Sequence, residues 1–197
     1  GADLRRQSTT ERRAALIQLP VSWSPVLTPP DWPAAATLRA SAREHLVEGL
    51  MLKRRAAPYP RGRVTGEWWK WKADPFTLDA VMLYAQAGHG RRAGLHTDYT
   101  LGIWQGDQLV PVAKAYSGLT DVELKEIDRW VRAHTTETFG PVRKVEPLLV
   151  FELAFDGAQA SPRHKSGIAL RFPRIARWRR DKPAREADTV ETVRGLL

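Results

Sequence analysis

Apolar positions recur at helical spacing early in this chain and at strand spacing later, and the change falls near Asp74-Pro75. From Ser8 to Leu19, Ala14, Ala15, Leu16 and Leu19 lie among Glu11, Arg12 and Arg13. This predicts an amphipathic helix with Ser8 or Thr9 as N-cap, stopped by Pro20. Pro25, Pro29, Pro30 and Pro33 mark a connector in which only Val26-Leu27 suits a strand. A second helix is expected over Ala34 to His45, where Ala36, Leu38 and Ala42 alternate with Arg39, Arg43 and Glu44. A short strand from Gly49 to Lys53 follows. Beyond a loop rich in Pro, Gly and Arg, aromatic and charged residues alternate from Trp69 to Lys72 with the period of two of a strand.

Past Asp74, strand-like runs occur at Asp79 to Ala85, Tyr99 to Trp104, Gln108 to Ala115, Leu148 to Phe155 and Gly167 to Pro173. Gly106-Asp107 reads as a hairpin turn between the second and third. One helix interrupts them: Thr120 with Glu123 forms a capping box, and Leu124, Ile127 and Val131 supply an apolar face up to about His134. Five strands and one helix are the inventory of an OB barrel. The expected class is α+β, with one unit over residues 1–73 and an OB-fold β-barrel with one inserted helix over 74–197.

Composition narrows the chemistry. With 197 residues, 43% hydrophobic residues and eight Trp, the chain can build a packed core, and no apolar run approaches the ~18 residues of a membrane span. The start, Gly1-Ala2-Asp3-Leu4-Arg5-Arg6, lacks a signal-like apolar stretch, so a cytoplasmic location and no membrane partner are expected. Zero cysteines exclude disulfides, thiolate catalysis and Cys-ligated zinc. The net charge of +9, with pI near 10.2, suits nucleic acid, but equally an acidic membrane or solubility alone.

Four constellations stand out. Glu48-Gly49-Leu50-Met51-Leu52-Lys53 brackets an apolar strand with a carboxylate and an ammonium. Glu48 at the strand's mouth could hold a hard cation such as Mg²⁺ near phosphates, or the two ends could be plain surface ions. In Trp69-Lys70-Trp71-Lys72, side-chain alternation puts both lysines on one face, ~7 Å apart, where a phosphate would relieve their repulsion. A solvated strand face is the alternative. The run Arg171 to Lys182 holds five Arg and one Lys in twelve positions, with Phe172, Ile175 and Trp178 interleaved, which argues for an ordered segment rather than a solvated tail. The fourth pairs Arg163-His164-Lys165-Ser166 with the glycine-rich turn Gly88-His89-Gly90-Arg91-Arg92, whose basic groups suit duplex phosphates. His89 and His164 read as polar surface groups rather than metal ligands.

The first three segments, in this order, resemble the covalent nucleotidyltransferase superfamily and, more closely, the bacterial ATP-dependent DNA ligases. Glu48 to Lys53 would be motif IV, Trp69 to Lys72 motif V and Arg171 to Lys182 motif VI. Arg-Phe-Pro-Arg followed by Arg-x-Arg-x-Asp-Lys is the most specific piece. Ala85 to Gly94 is similar to the turn that follows the hinge in ligases encoded beside a DNA exonuclease and a helicase, and Asp3-Leu4-Arg5 matches the stretch downstream of motif III. The departure is motif I: no lysine of the chain is followed by x-Asp-Gly.

The resemblance implies that residues 1–73 end a nucleotidyltransferase (adenylation) domain and that ATP and Mg²⁺ are the cofactors. Glu48 would hold catalytic Mg²⁺, and Lys70 and Lys72 would meet the α-phosphate. Arg174, Arg177, Asp181 and Lys182 would act on the β and γ phosphates, while Lys53 at the far end of motif IV faces the loop. Asp74 would be the hinge. Arg91, Arg92, Arg163, His164 and Lys165 would contact nicked duplex DNA. Without motif I the chain reads as a fragment or half of a split enzyme, expected to bind DNA but not to adenylate itself, with the missing N-terminal part of the adenylation domain as a further partner. An RNA ligase, a capping-type nucleotidyltransferase and a non-catalytic OB module are the rival readings.

Overall fold

The computed structural model describes residues 1–45, 47–88, 90 and 93–196. The chain divides into two compact units, Gly1–Asp74 and Pro75–Leu197.

In the first unit, α1 (Thr9–Leu16) starts from a reciprocal capping box. The Ser8 Oγ accepts from the Glu11 N–H, and Glu11 accepts from the Ser8 N–H at 2.8 Å. It ends three residues before the expected Leu19, because residues 17–19 close as tight turns ahead of Pro20. The second helix, α2 (Trp32–Ala40), begins earlier than expected: Asp31 is the N-cap, accepting from the Ala34 N–H at 2.8 Å. Pro33 belongs to this first turn rather than to the connector, since a first-turn residue needs no N–H donor. Val26-Leu27 forms no strand.

Strands β1 (Gly49–Lys53) and β2 (Trp68–Lys72) pair antiparallel, with Leu50 opposite Trp71 and Met51 opposite Lys70. Gly49 permits this approach: its φ is +139°, and a Cβ there would lie 2.4 Å from the Trp71 carbonyl oxygen. Among the described residues only Ala35, Ala42 and Ala57 of this unit are buried apolar residues, while Leu19, Val26 and Trp32 stay exposed.

The second unit is built on an antiparallel sheet: β3 (Phe76–Ala87), β4 (His96–Gln105), β5 (Gln108–Ala115), β6 (Thr135–Phe139), β7 (Val142–Val145), β8 (Val150–Phe155) and β11 (Arg174–Trp178). The central order is β11-β8-β3-β4-β5. The long β3 gives one edge first to β8, through 76–81, and then to β7, through 84–86. Bulges in β3, β4, β5 and β11 curl the sheet. A separate hairpin joins β9 (Gly157–Ala160) to β10 (Ile168–Arg171).

α3 (Asp121–Ala133) carries the expected capping box and lays Leu124, Ile127 and Val131 into a core with Tyr99, Leu101, Phe151, Leu153 and Phe155. Each such side chain contributes about 1.5–3 kcal/mol on burial. The short α4 (Val190–Arg194) adds Val190 and Val193. On the sheet's other face, the segment around Ala184 to Thr189 covers Val81, Val150 and Trp104, with the Trp104 indole N–H donating to the Ala184 carbonyl at 2.8 Å. The class is mixed helix and sheet, but the described residues of this unit form nine strands rather than five. The β6–β7 hairpin and β11 account for most of the difference.

Candidate functional site

In the first unit, strand alternation places Lys70 and Lys72 on one face of the β1–β2 ladder, opposite Met51 and Gly49. The Lys72 Nζ lies 3.4 Å from a Glu48 carboxylate oxygen, both side chains about half exposed. An internal carboxylate thus occupies the place expected for an anion beside Lys72. Lys70 is exposed and makes no ion pair among the described residues. Lys53, at the other end of β1, lies with its ammonium 4.9 Å from the centre of the Trp68 ring. Among the described residues no three His, Asp or Glu side chains gather as a metal cluster. Mg²⁺ commonly takes only one or two protein carboxylates and completes its shell with water and substrate phosphates, so an exposed Glu48 is compatible with such an ion.

Asp74 closes this unit. Its carboxylate receives the Arg39 guanidinium at 2.7 and 3.2 Å, and its carbonyl accepts from Arg43. Arg39 also lies over the Trp71 ring at 5.3 Å and donates to the Lys72 carbonyl. The proposed pivot is therefore tied at both its side chain and its backbone to the end of α2.

In the second unit the basic run folds as the end of β10, β11 and the turn after it, and its cations from Arg174 onward have carboxylate partners. Arg174 donates to Asp156 at 3.2 Å and Arg177 to Glu152 at 2.9 Å. Lys182 and Arg179 both donate to one oxygen of Asp79 at 2.7 Å. Asp181 is held by Arg179 at 2.9 and 3.0 Å, and that guanidinium pulls its carboxyl down to about 2. Arg180 forks onto Glu126 at 2.6 and 2.7 Å and stacks over Trp178 at 3.8 Å, which lowers the Glu126 pKa. Asp79 is buried and its other oxygen has no hydrogen-bond partner.

Of the fourth constellation, His89, Arg91 and Arg92 lie outside the described residues. Arg163, His164 and Lys165 are exposed in the β9–β10 turn, where the His164 Nδ1 sits 2.8 Å from the Ser161 hydroxyl.

Sequence reasoning missed Asp79, Glu126 and Glu152, because carboxylates far from a basic run carry no sign of which cation they meet. Phe172, counted with Ile175 and Trp178 as a sign of an ordered segment, is instead a 62% exposed aromatic at φ +52° in the β10–β11 turn, with Arg171 over its ring at 5.7 Å.

A curled antiparallel sheet capped by one amphipathic helix, with an arginine-rich strand along its edge, defines an OB-like domain. The comparisons give it a family. Residues 92–182 match the model of the ATP dependent DNA ligase C terminal region. A probable DNA ligase of Koribacter versatilis is 49% identical over 78% of this chain and 27% of its own length. Another, of Nocardia farcinica, is 41% identical over 100% of this chain and 38% of its own. A solved Lig E DNA ligase shares the fold with a TM-score of 0.57 at 21% identity, over 88% of this chain and 59% of that one. The chain is a C-terminal region of the ATP-dependent DNA ligases. It spans well under half the length of these curated relatives.

Proposed function

We propose that the chain is part of an enzyme that seals nicks in duplex DNA through lysine-AMP and DNA-adenylate intermediates. The first unit ends the adenylation domain, the second is the OB-fold domain, and the hinge lies at Asp74. The observation that carries the reading is the placement of Lys70 and Lys72 on one strand face with Glu48 3.4 Å from Lys72. These residues precede, in the expected segment order, the Arg-Phe-Pro-Arg turn that leads into β11.

Each step of such a reaction is an in-line phosphoryl transfer, in which positioning and neutralisation of oxygen charge lower the barrier. Lys70 and Lys72 hold the α-phosphate. Glu48, now paired with Lys72, is the residue that would hold a Mg²⁺ ion, and the ion would supply charge neutralisation at the phosphates. Arg174, Arg177 and Lys182 exchange their carboxylates for the β and γ phosphate oxygens, with Asp181 orienting Arg179 beside them. Arg163, His164 and Lys165 contact the duplex, with Arg91 and Arg92 assigned the same role from the sequence alone.

These 197 residues contain no Lys-x-Asp-Gly, so by themselves they bind DNA without forming lysine-AMP. The test is to mix the chain with a separately produced segment bearing motif I and supply ATP and Mg²⁺. A labelled AMP adduct on that segment, followed by sealing of nicked duplex, is the expected result. A folded partner that gives neither would favour the non-catalytic OB module, which the carboxylate pairing of the motif VI cations also suits.

A further inference from the structure

The arginines of the second unit's basic strand are matched by carboxylates, so the chain's excess positive charge resides elsewhere. Residues 1–13 and 54–67 hold eight arginines against three acidic residues, Asp3, Glu11 and Glu67, which is more than half of the net +9. The fold gathers these two segments. The Thr10 N–H donates to the Arg55 carbonyl at 3.2 Å, the Thr9 hydroxyl to Ala57 at 3.1 Å and the Tyr59 N–H to Arg5 at 2.8 Å.

Several cations are used internally. Arg12 donates to the Ala57 carbonyl and lies over the Tyr59 ring, Arg13 lies over Trp23, Arg5 pairs with Asp3, and Arg54 pairs with Glu67. Glu11 is engaged by the Ser8 cap. What remains is Arg6, Arg55, Arg61 and Arg63, all exposed, with no carboxylate partner among the described residues.

We infer that the β1–β2 connection and the chain leading into α1 form a second nucleic-acid surface, on which Arg6, Arg55, Arg61 and Arg63 bind the phosphate backbone of duplex DNA without reading its sequence or its nick. The inference rests on the reading of the chain as part of a DNA ligase. Uncompensated guanidiniums on a short, internally pinned loop gain the full release of counterions from a duplex. A cation already paired with a carboxylate must first give that partner up.

The experiment uses the whole chain and one fluorescent duplex, nicked and intact, titrated between 50 and 200 mM salt. The variant R6Q/R55Q/R61Q/R63Q is expected to bind both duplexes at least tenfold more weakly at the low-salt end. Its salt slope should be shallower by about 2–4, at about 0.9 per lost phosphate contact. The charge-preserving R6K/R55K/R61K/R63K should keep the slope and guard against misfolding as the cause. A glutamine variant with parental affinity and slope overturns the inference while leaving the ligase reading intact. A parental chain that binds neither duplex overturns both. Loss of binding to phosphatidylserine vesicles with no loss on DNA also overturns it, in favour of an anionic lipid surface.

Discussion

Arg177 on β11 meets Glu152 on β8 as a direct cross-strand neighbour, guanidinium to carboxylate at 2.9 Å. A cation expected to serve polyphosphate is thus already served. Glu152→Gln keeps the shape and removes the competing charge. A partly exposed pair of this kind is worth at most about 1 kcal/mol, so affinity for inorganic tripolyphosphate should rise by up to about fivefold at low salt. Isothermal titration of the parent and the variant would measure it. Unchanged or weaker binding would mean that Arg177 does not face the phosphates.

Asp79 has a different standing, because it is buried and receives Arg179 and Lys182 on a single oxygen. Its backbone is fixed as well, accepting from the Asp188 N–H at 2.9 Å and donating to the Asp188 carboxylate at 2.6 Å. Asp79→Asn leaves two cations beside a neutral group and should cost about 3 kcal/mol in urea unfolding. Glu126→Gln, which breaks an exposed pair with Arg180, should shift the midpoint far less.

These pairs mark where the sequence stops being informative. The capping box at Thr120 and Glu123, the turn at Gly106-Asp107 and the alternation of β2 are local signals, legible because the residues that make them are neighbours in the chain. β11 was not legible as a strand: alternation breaks at the bulge between Ile175 and Arg177, two of its own residues are arginines, and Arg171, Arg179 and Arg180 flank it. The β6–β7 hairpin was missed because Thr135 to Val145 is nearly all polar and exposed on β6, with no hydrophobic period to read. The lysine face of β2 followed from alternation alone. Its pairing with Glu48 depends on a ladder register that only the folded chain supplies.

Gly118 lies where the chain passes β11. Its φ is +107°, and a Cβ would fall 1.7 Å from the Ile175 carbonyl oxygen, which is backbone and cannot swing aside. The Ile175 N–H in turn donates to the Ser117 carbonyl at 3.0 Å. Gly118→Ala should therefore lose more than about 2 kcal/mol and disturb β11 itself. Gly140→Ala, at φ +57° with nothing within 4 Å of its added carbon, should cost only about 1 kcal/mol. Comparable losses at the two positions in urea melts would contradict the close approach.

Acid should loosen the joint between β4 and α3 before it reaches the core. Asp128 is buried, which by itself raises its pKa, yet bonds from Arg132 and from the His96 backbone and ring outweigh burial and hold it below its ordinary 3.8. A carboxyl with a depressed folded pKa contributes stability that is complete above its unfolded value and is lost as pH falls through the folded one. The second unit should thus lose stability below about pH 4, first at the start of β4, where the Tyr99 hydroxyl donates to the His96 carbonyl and Arg132 to Gly94. Asp128→Asn should lower stability at pH 7 and flatten the acid limb of a stability-against-pH curve from urea melts. An unchanged acid limb in that variant would assign the acid sensitivity to another carboxylate, with Asp181, drawn down to about 2 by Arg179, the next to replace.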